Sequence, residues 1–189
     1  VRKQMGYAPY DPTDEEVLKQ GDPSLLIYPA IILSHGASVS NGAQTLDVNH
    51  YARSRTSMAS LVEAHSDWEY EPDEPNFTPR ISGHTDGHGD ISKAALGIIR
   101  RGPTGAPERS YFEFSTSPGR GKLISTYTGQ NTNPLPSFRG EPLDIEIPGD
   151  GVKETAHAFY DALARTDEKD FRVSVACVYV IDSNAFEVA

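Results

Sequence analysis

The chain has 189 residues, and 17 lysines and arginines against 27 aspartates and glutamates give a net charge of −10 at pH 7. This length suits one domain with a hydrophobic core, so we expect residues 1–189 to form a single domain. The negative charge argues against nucleic-acid binding, which needs a basic face. A lone cysteine, Cys177, and the lack of a membrane-length apolar run exclude a disulfide scaffold and a membrane protein. We therefore expect a cytoplasmic protein.

The first two thirds of the chain predict strands around one helix. Leu25–Leu33 is an almost continuous apolar run with Pro29 in its middle, which is typical of a bent strand buried on both faces. Val48–His65 has apolar side chains at helical spacing and predicts one helix. Three further strands are predicted between glycine and proline turns: Lys93–Arg100, Ser110–Ser115 and Lys122–Thr128.

The C-terminal part of the chain predicts one helix and one strand. Val152–Arg165 repeats apolar residues at helical spacing. In Arg172–Ile181 alternate residues, among them Val173 and Cys177, share one face of an extended strand. Strands outnumber helices and their order is mixed, so the sequence favours an α+β fold with largely antiparallel sheets.

A segment rich in histidine and aspartate, His84–Asp90, is a candidate metal site. In an extended strand His84, Asp86 and His88 would lie on one side and could face one cation. The two glycines of the segment instead favour a solvated turn, in which histidine and aspartate are ordinary occupants. We favour the turn and predict no bound metal; a metal-dependent hydrolase remains an alternative.

An acidic and aromatic loop, Asp67–Glu74, is a candidate catalytic segment. A carboxylate held against apolar rings acquires the raised pKa of a general base, and Glu69 or Glu71 could be that group. A solvated acidic loop would have the same composition. Asn76–Arg80 follows directly with an amide, a hydroxyl and a guanidinium, which suit a phosphate or a carboxamide. The polar turn Ser40–Thr45 is a candidate anion site because its backbone amides attract anions.

Four segments resemble the archaeal-type inosine monophosphate (IMP) cyclohydrolase family, most closely its bacterial branch. They are Asp22–Tyr28, Val39–Thr45, Glu71–Gly83 and Thr126–Pro142. The resemblance implies a fold like that of the N-terminal-nucleophile hydrolases, a four-layer αββα sandwich with two mainly antiparallel sheets. It also implies a hydrolase of the type that acts on cyclic amidines. Such an enzyme closes the purine ring of 5-formamidoimidazole-4-carboxamide ribonucleotide to IMP, with loss of water, in purine biosynthesis.

The same resemblance implies the site residues. The catalytic residues would be Tyr28, Glu71 and Arg80, and no metal or other cofactor is implied. Contacts with a purine ribonucleotide would come from Asn41, Gly42, Thr45, Asn76, Thr78 and Tyr127. We expect neither a nucleic acid nor a membrane as partner, and homo-oligomers are common among sheet proteins of this size.

The sequence departs from the family in two places. Family members begin with an arginine-containing segment, and we expect those N-terminal strands to precede residue 1. The family's usual aspartate is replaced by Leu46, with Asp47 one position later. These departures favour, as an alternative, a nucleotide-binding relative with impaired turnover. The sequence leaves open which of Glu69, Glu71 and Asp73 faces the ligand.

Overall fold

The computed structural model describes residues 27–86, 92–130, 132–164, 170, 172–182 and 185–189. Its main feature is a five-stranded sheet in the order β1-β2-β3-β4-β5. Each strand pairs antiparallel with the next one along the chain, which confirms the α+β class with an antiparallel sheet. The strands are β1 (Ile31–Leu33), β2 (Gly36–Ser40), β3 (Arg80–Asp86), β4 (Lys93–Arg101) and β5 (Pro107–Ser115).

Two helices between β2 and β3 cover one face of this sheet, α1 (Thr45–Tyr51) and α2 (Ser57–Ala64). The single helix predicted over Val48–His65 is therefore wrong. Thr56 begins the second helix because its backbone is extended and its side chain accepts a hydrogen bond from the N–H of Ala59 at 3.4 Å. The buried core under the helices consists of Val48, Leu61, Ala64 and Ala95.

The opposite face of the sheet carries a second apolar cluster, formed by Ile98, Ile124 and Phe138. Ile124 follows β6 (Arg120–Leu123), which pairs with β7 (Leu143–Glu146) in a two-stranded sheet. The strand predicted to continue to Thr128 is wrong beyond Leu123, because the chain leaves the strand there and buries Ile124 in the core. Phe138 anchors the loop between the two strands in the same cluster.

The chain continues with α3 (Val152–Ala162), β8 (Val178–Asp182) and β9 (Ala185–Val188). The helix predicted from Val152 is confirmed over most of its length. The strand predicted from Arg172 is wrong before Val178, because β9, the strand that pairs with it in the described part of the chain, has four residues. Val173 accordingly lies outside the sheet and is 90% exposed.

The apolar run that predicted the first strand forms only a short edge strand. Residues 25 and 26 lie outside the described part of the chain, and Tyr28–Ala30 is not in a strand. β1 is half-buried and stands at the edge of the sheet, so a strand buried on both faces is wrong. Pro29, which has no backbone N–H to donate, is tolerated next to β1 because no further strand pairs with the outer side of an edge strand.

The remaining sheets of the described residues have two strands each, so the four-layer αββα sandwich stays a prediction. Within the described residues, every helix is too short or too polar to cross a bilayer.

Candidate functional site

Arg80, the first residue of β3, is the centre of a buried polar cluster, and its side chain is 7% exposed. Its Nη1 donates to Oε1 of Glu71 at 3.2 Å and to Oε1 of Gln44 at 3.2 Å. Its Nε donates to the backbone carbonyl of Glu69 at 3.1 Å. The guanidinium also lies over the ring of Trp68, 4.8 Å from the ring centroid. The guanidinium of Arg80 is thus contacted by residues that precede α1 and by residues that follow α2 in the chain.

Glu71 is the carboxylate of the acidic loop that faces Arg80, and its side chain is 13% exposed. Burial raises the pKa of Glu71 above its ordinary value; Arg80 opposes this rise, and Asp73 adds to it. A raised pKa suits a carboxylate that takes up and releases a proton near neutral pH. Glu69 is exposed and contacts Arg80 through its backbone carbonyl.

Tyr28 is half-buried and interacts electrostatically with Arg80. Burial lowers the pKa of Arg80, and the neighbouring Glu71 and Tyr28 act in the opposite direction. Of the three residues predicted to be catalytic, the structure pairs Glu71 directly with Arg80, and the contact of Tyr28 with a ligand stays a prediction.

The turn between β2 and α1 contains Asn41 and Gly42, and Thr45 begins α1. The side chain of Asn41 donates to the carbonyl of Pro79 at 2.9 Å and accepts from the N–H of Ile81 at 2.8 Å, which holds the turn against the start of β3. The hydroxyl of Thr45 is fully buried and donates to the carbonyl of Gly42 at 2.8 Å, which closes the turn itself. Direct contact of these residues with a ligand stays a prediction.

Gly42 allows this turn to approach Arg80 closely. A Cβ at Gly42 would overlap Nη1 of Arg80 and Oε1 of Gln44. Gln44 is fully buried and was not among the predicted site residues. Its place in the polar turn Ser40–Thr45 was the signal that could have identified it.

The predicted ligand contacts Asn76, Thr78 and Tyr127 lie together in a second polar cluster. Oγ1 of Thr78 is 2.5 Å from the hydroxyl of Tyr127 and is also hydrogen-bonded to the carboxylate of Asp73. The N–H of Thr78 donates to Asp73 at 2.6 Å. Oδ1 of Asn76 accepts from the N–H of Leu135 at 3.1 Å. The loop before β3 is thereby tied to the loop after β6.

The two clusters adjoin each other. The N–H of Glu71 donates to the carbonyl of Thr78 at 2.9 Å, and Asp73 lies near enough to raise the pKa of Glu71. Three of the four segments that carry the family resemblance therefore contribute hydrogen-bonded residues to one region of the molecule, and Tyr28 of the first segment interacts electrostatically with Arg80.

Trp68, whose ring lies under Arg80, is held in place by Asp47. Neither residue was among the predicted site residues. The indole N–H of Trp68 donates to Oδ2 of Asp47 at 2.7 Å. Arg109 donates to the backbone carbonyls of His65 at 2.9 Å and Trp68 at 2.6 Å. Leu46, which stands where the family has its aspartate, is 48% exposed.

The histidine-rich segment gives the metal alternative little support. His84 is 2% exposed, and its Nδ1 lies 3.0 Å from Oγ of Ser38. Residues 87–91, including His88, lie outside the described part of the chain. Among the residues that are described, no group of three or more His, Cys, Asp or Glu side chains could hold a metal ion.

The sequence profile of a family described as IMP cyclohydrolase-like protein matches residues 4–184. The chain belongs to this family. A search of curated proteins finds no match to it. Membership in the IMP cyclohydrolase-like family confirms the resemblance of the four segments and supports a cyclohydrolase function in purine biosynthesis.

Proposed function

We propose that the protein is an enzyme that closes the purine ring of 5-formamidoimidazole-4-carboxamide ribonucleotide to IMP with loss of water. The observation that carries this proposal is the buried pair of Glu71 and Arg80, in a chain of the IMP cyclohydrolase-like family. Tyr28 interacts electrostatically with Arg80. A cytoplasmic location and the four-layer fold belong to the same proposal.

The reaction requires two proton transfers, one from each nitrogen that flanks the formyl carbon. The carboxamide nitrogen attacks the formyl carbon, a C–N bond forms, and that nitrogen gives up one of its two protons while the formyl oxygen becomes a hydroxyl group. The C–O bond then breaks, the former formamide nitrogen loses its proton as its C=N bond forms, and the oxygen leaves as water. Glu71 takes up a proton from nitrogen and passes it to the oxygen, a role that its raised pKa suits.

Tyr28 and Arg80 have different roles in this scheme. Negative charge develops on the formyl oxygen during attack, and the phenol of Tyr28 stabilises it as a hydrogen-bond donor. Nη1 and Nε of Arg80 already contact Glu71, Gln44 and the backbone, so we assign Arg80 to Glu71 rather than to the substrate phosphate. A ligand held in a folded pose also favours ring closure, because both reacting groups belong to one molecule.

Formation of IMP by the purified protein, with metals chelated, tests the proposal. Glu71→Gln retains the shape of the side chain but cannot accept the proton, so kcat should fall at least roughly tenfold. Glu74→Gln is the matched control, because Glu74 lies in the same loop and is exposed. Wild-type turnover in Glu71→Gln would refute the role of Glu71.

A binding protein with impaired turnover is the second candidate. It is favoured by Leu46 at the position of the family's aspartate, since Asp47 is engaged by the indole of Trp68. In that case the ribonucleotide would raise the melting temperature of the wild-type protein, and no IMP would form.

A further inference from the structure

The hydrogen bonds around Thr78 have only one consistent direction. Its hydroxyl has a single proton and lies between the carboxylate of Asp73 and the hydroxyl of Tyr127. A carboxylate can only accept, so Thr78 donates its proton to Asp73. The oxygen of Thr78 must then accept, which makes Tyr127 the donor of the 2.5 Å hydrogen bond. The N–H of Thr78 holds the other carboxylate oxygen at 2.6 Å and keeps Asp73 in this orientation.

We propose that Tyr127 is a hydrogen-bond acceptor towards the ligand, and that Asp73 is the positioning residue that turns the tyrosine proton away from it. A phenol has one proton and two lone pairs. With the proton directed at Thr78, only lone pairs remain for a ligand. The site would therefore select a ligand that presents an N–H or O–H group over one that presents a carbonyl or carboxylate oxygen.

This inference rests on the proposed function, because a purine ribonucleotide supplies the donor. The carboxamide and formamido N–H groups and both ribose hydroxyls of that ligand are donors, and we assign the contact to the carboxamide N–H or the ribose 2′-hydroxyl. Either group would donate a hydrogen bond to the phenol oxygen of Tyr127. A carbonyl or carboxylate oxygen of the ligand at that place would be repelled by the lone pairs of the phenol oxygen.

Hydrogen bonds within the loop fix the backbone position of Tyr127. Tyr127 forms a bridge with Ser137, and its carbonyl accepts from the hydroxyl of Ser125 at 2.7 Å. The N–H of Thr128 donates to the carbonyl of Pro136 at 2.9 Å. Because the loop sets the position of Tyr127, the direction of its phenol proton decides whether it favours a donor or an acceptor group of the ligand.

Asp73→Asn reverses that direction with almost no change in shape. The amide oxygen of asparagine accepts from the N–H of Thr78, and its NH₂ group then faces Oγ1 of Thr78 as a donor. Thr78 in turn directs its own proton at Tyr127. The phenol proton of Tyr127 is left to point towards the ligand, so the preference of the site is inverted.

Calorimetric titration of three non-reacting ligands measures this preference: 5-aminoimidazole-4-carboxamide ribonucleotide, its 4-carboxylate analogue and its 2′-deoxy form. The wild type should bind 5-aminoimidazole-4-carboxamide ribonucleotide most tightly of the three ligands, and Asp73→Asn should weaken the binding of this ligand roughly tenfold. If the carboxamide is the donor, the loss disappears with the carboxylate analogue. If the ribose hydroxyl is the donor, the loss disappears with the 2′-deoxy ligand.

Two further variants separate the direction of the hydrogen bonds from damage to the fold. Glu74→Gln removes the same charge from the neighbouring exposed position and should leave all three affinities unchanged. Thr78→Val removes the hydroxyl between Asp73 and Tyr127 and should lower the selectivity. Thr78→Val also tests the proposal if Asp73→Asn does not fold.

The outcomes distinguish this inference from the proposed function. A wild type that binds none of the three ligands contradicts the proposed function itself. A wild type that binds them, with Asp73→Asn unchanged or weakened equally for all three, overturns only the acceptor role of Tyr127.

Discussion

Two buried histidines should make the stability of the fold sensitive to acid. His65 and His84 are 0% and 2% exposed. Nε2 of His65 lies 2.9 Å from Oγ of Ser82, and Nδ1 of His84 lies 3.0 Å from Oγ of Ser38. Within the described residues, the second ring nitrogen of each has no hydrogen-bond partner. Protonation would therefore place a charged imidazolium ring in the core, which is unfavourable.

Burial lowers the pKa of both histidines from 6.5 to about 4; Arg109 adds to this for His65, and Asp86 opposes it for His84. Between these values the unfolded chain binds protons that the folded chain does not, so the free energy of unfolding falls as the pH falls. At pH 5 each histidine accounts for about 2 kcal/mol of that loss. The pair therefore removes about 4 kcal/mol from the 5–15 kcal/mol typical of a domain. The raised pKa of Glu71 acts in the opposite direction and reduces the sum.

Urea unfolding at pH 7 and pH 5, followed by the emission of the single tryptophan, Trp68, measures this difference. His84→Gln should remove about half of the pH dependence, because glutamine does not titrate. His157→Gln, at an exposed position of α3, should leave the dependence as it is in the wild type. Equal stability of the wild type at the two pH values would refute the reasoning.

Three further predictions concern the cluster around Arg80. Because the pKa of Glu71 is raised and a protonated carboxyl cannot accept a proton, kcat for IMP formation should fall on acidification with a midpoint above 4.5, as a pH–rate profile would show. Gly42→Ala places a Cβ on Nη1 of Arg80 and should lower the free energy of unfolding by about 1–3 kcal/mol, measured by urea unfolding. Asp47→Ala leaves the indole N–H of Trp68 unpaired and should cost about 1–3 kcal/mol in stability; in a Trp68→Phe background, which has no such N–H, the same change should cost little.

Local patterns predicted the elements whose partners are close in sequence. β4 lies almost where its apolar run placed it, because β3 and β5 are its immediate neighbours along the chain. Thr56 was missed as the start of a helix, because an N-cap inside a periodic pattern does not interrupt the pattern. Val173 belongs to an alternating pattern that pairs with no strand among the described residues, and only the fold shows that β9 is too short to reach it.

In the candidate site, too, the sequence predicted some residues and missed others whose positions depend on contacts distant in sequence. The resemblance predicted Tyr28, Glu71 and Arg80, but not the groups that contact Arg80. Gln44 and Trp68 contact Arg80 from segments 36 and 12 positions earlier in the chain. The polar turn marked the region of Gln44, but which residue of a turn reaches Arg80 is set by the packing of the helices on the sheet.

The burial of Arg80 is better explained by chemistry than by stability. A buried ion pair contributes little net stability, because desolvation of both charges offsets their attraction, and apolar residues of similar volume often do as well. Yet the surroundings of Arg80 are built for a charge: Gly42 leaves room for the guanidinium, and Gln44 accepts from it. The pair formed with Glu71 is therefore a preorganised electrostatic environment, in which a carboxylate with a raised pKa is kept at a fixed place. Such a group suits the proposed reaction, which moves two protons within one ligand.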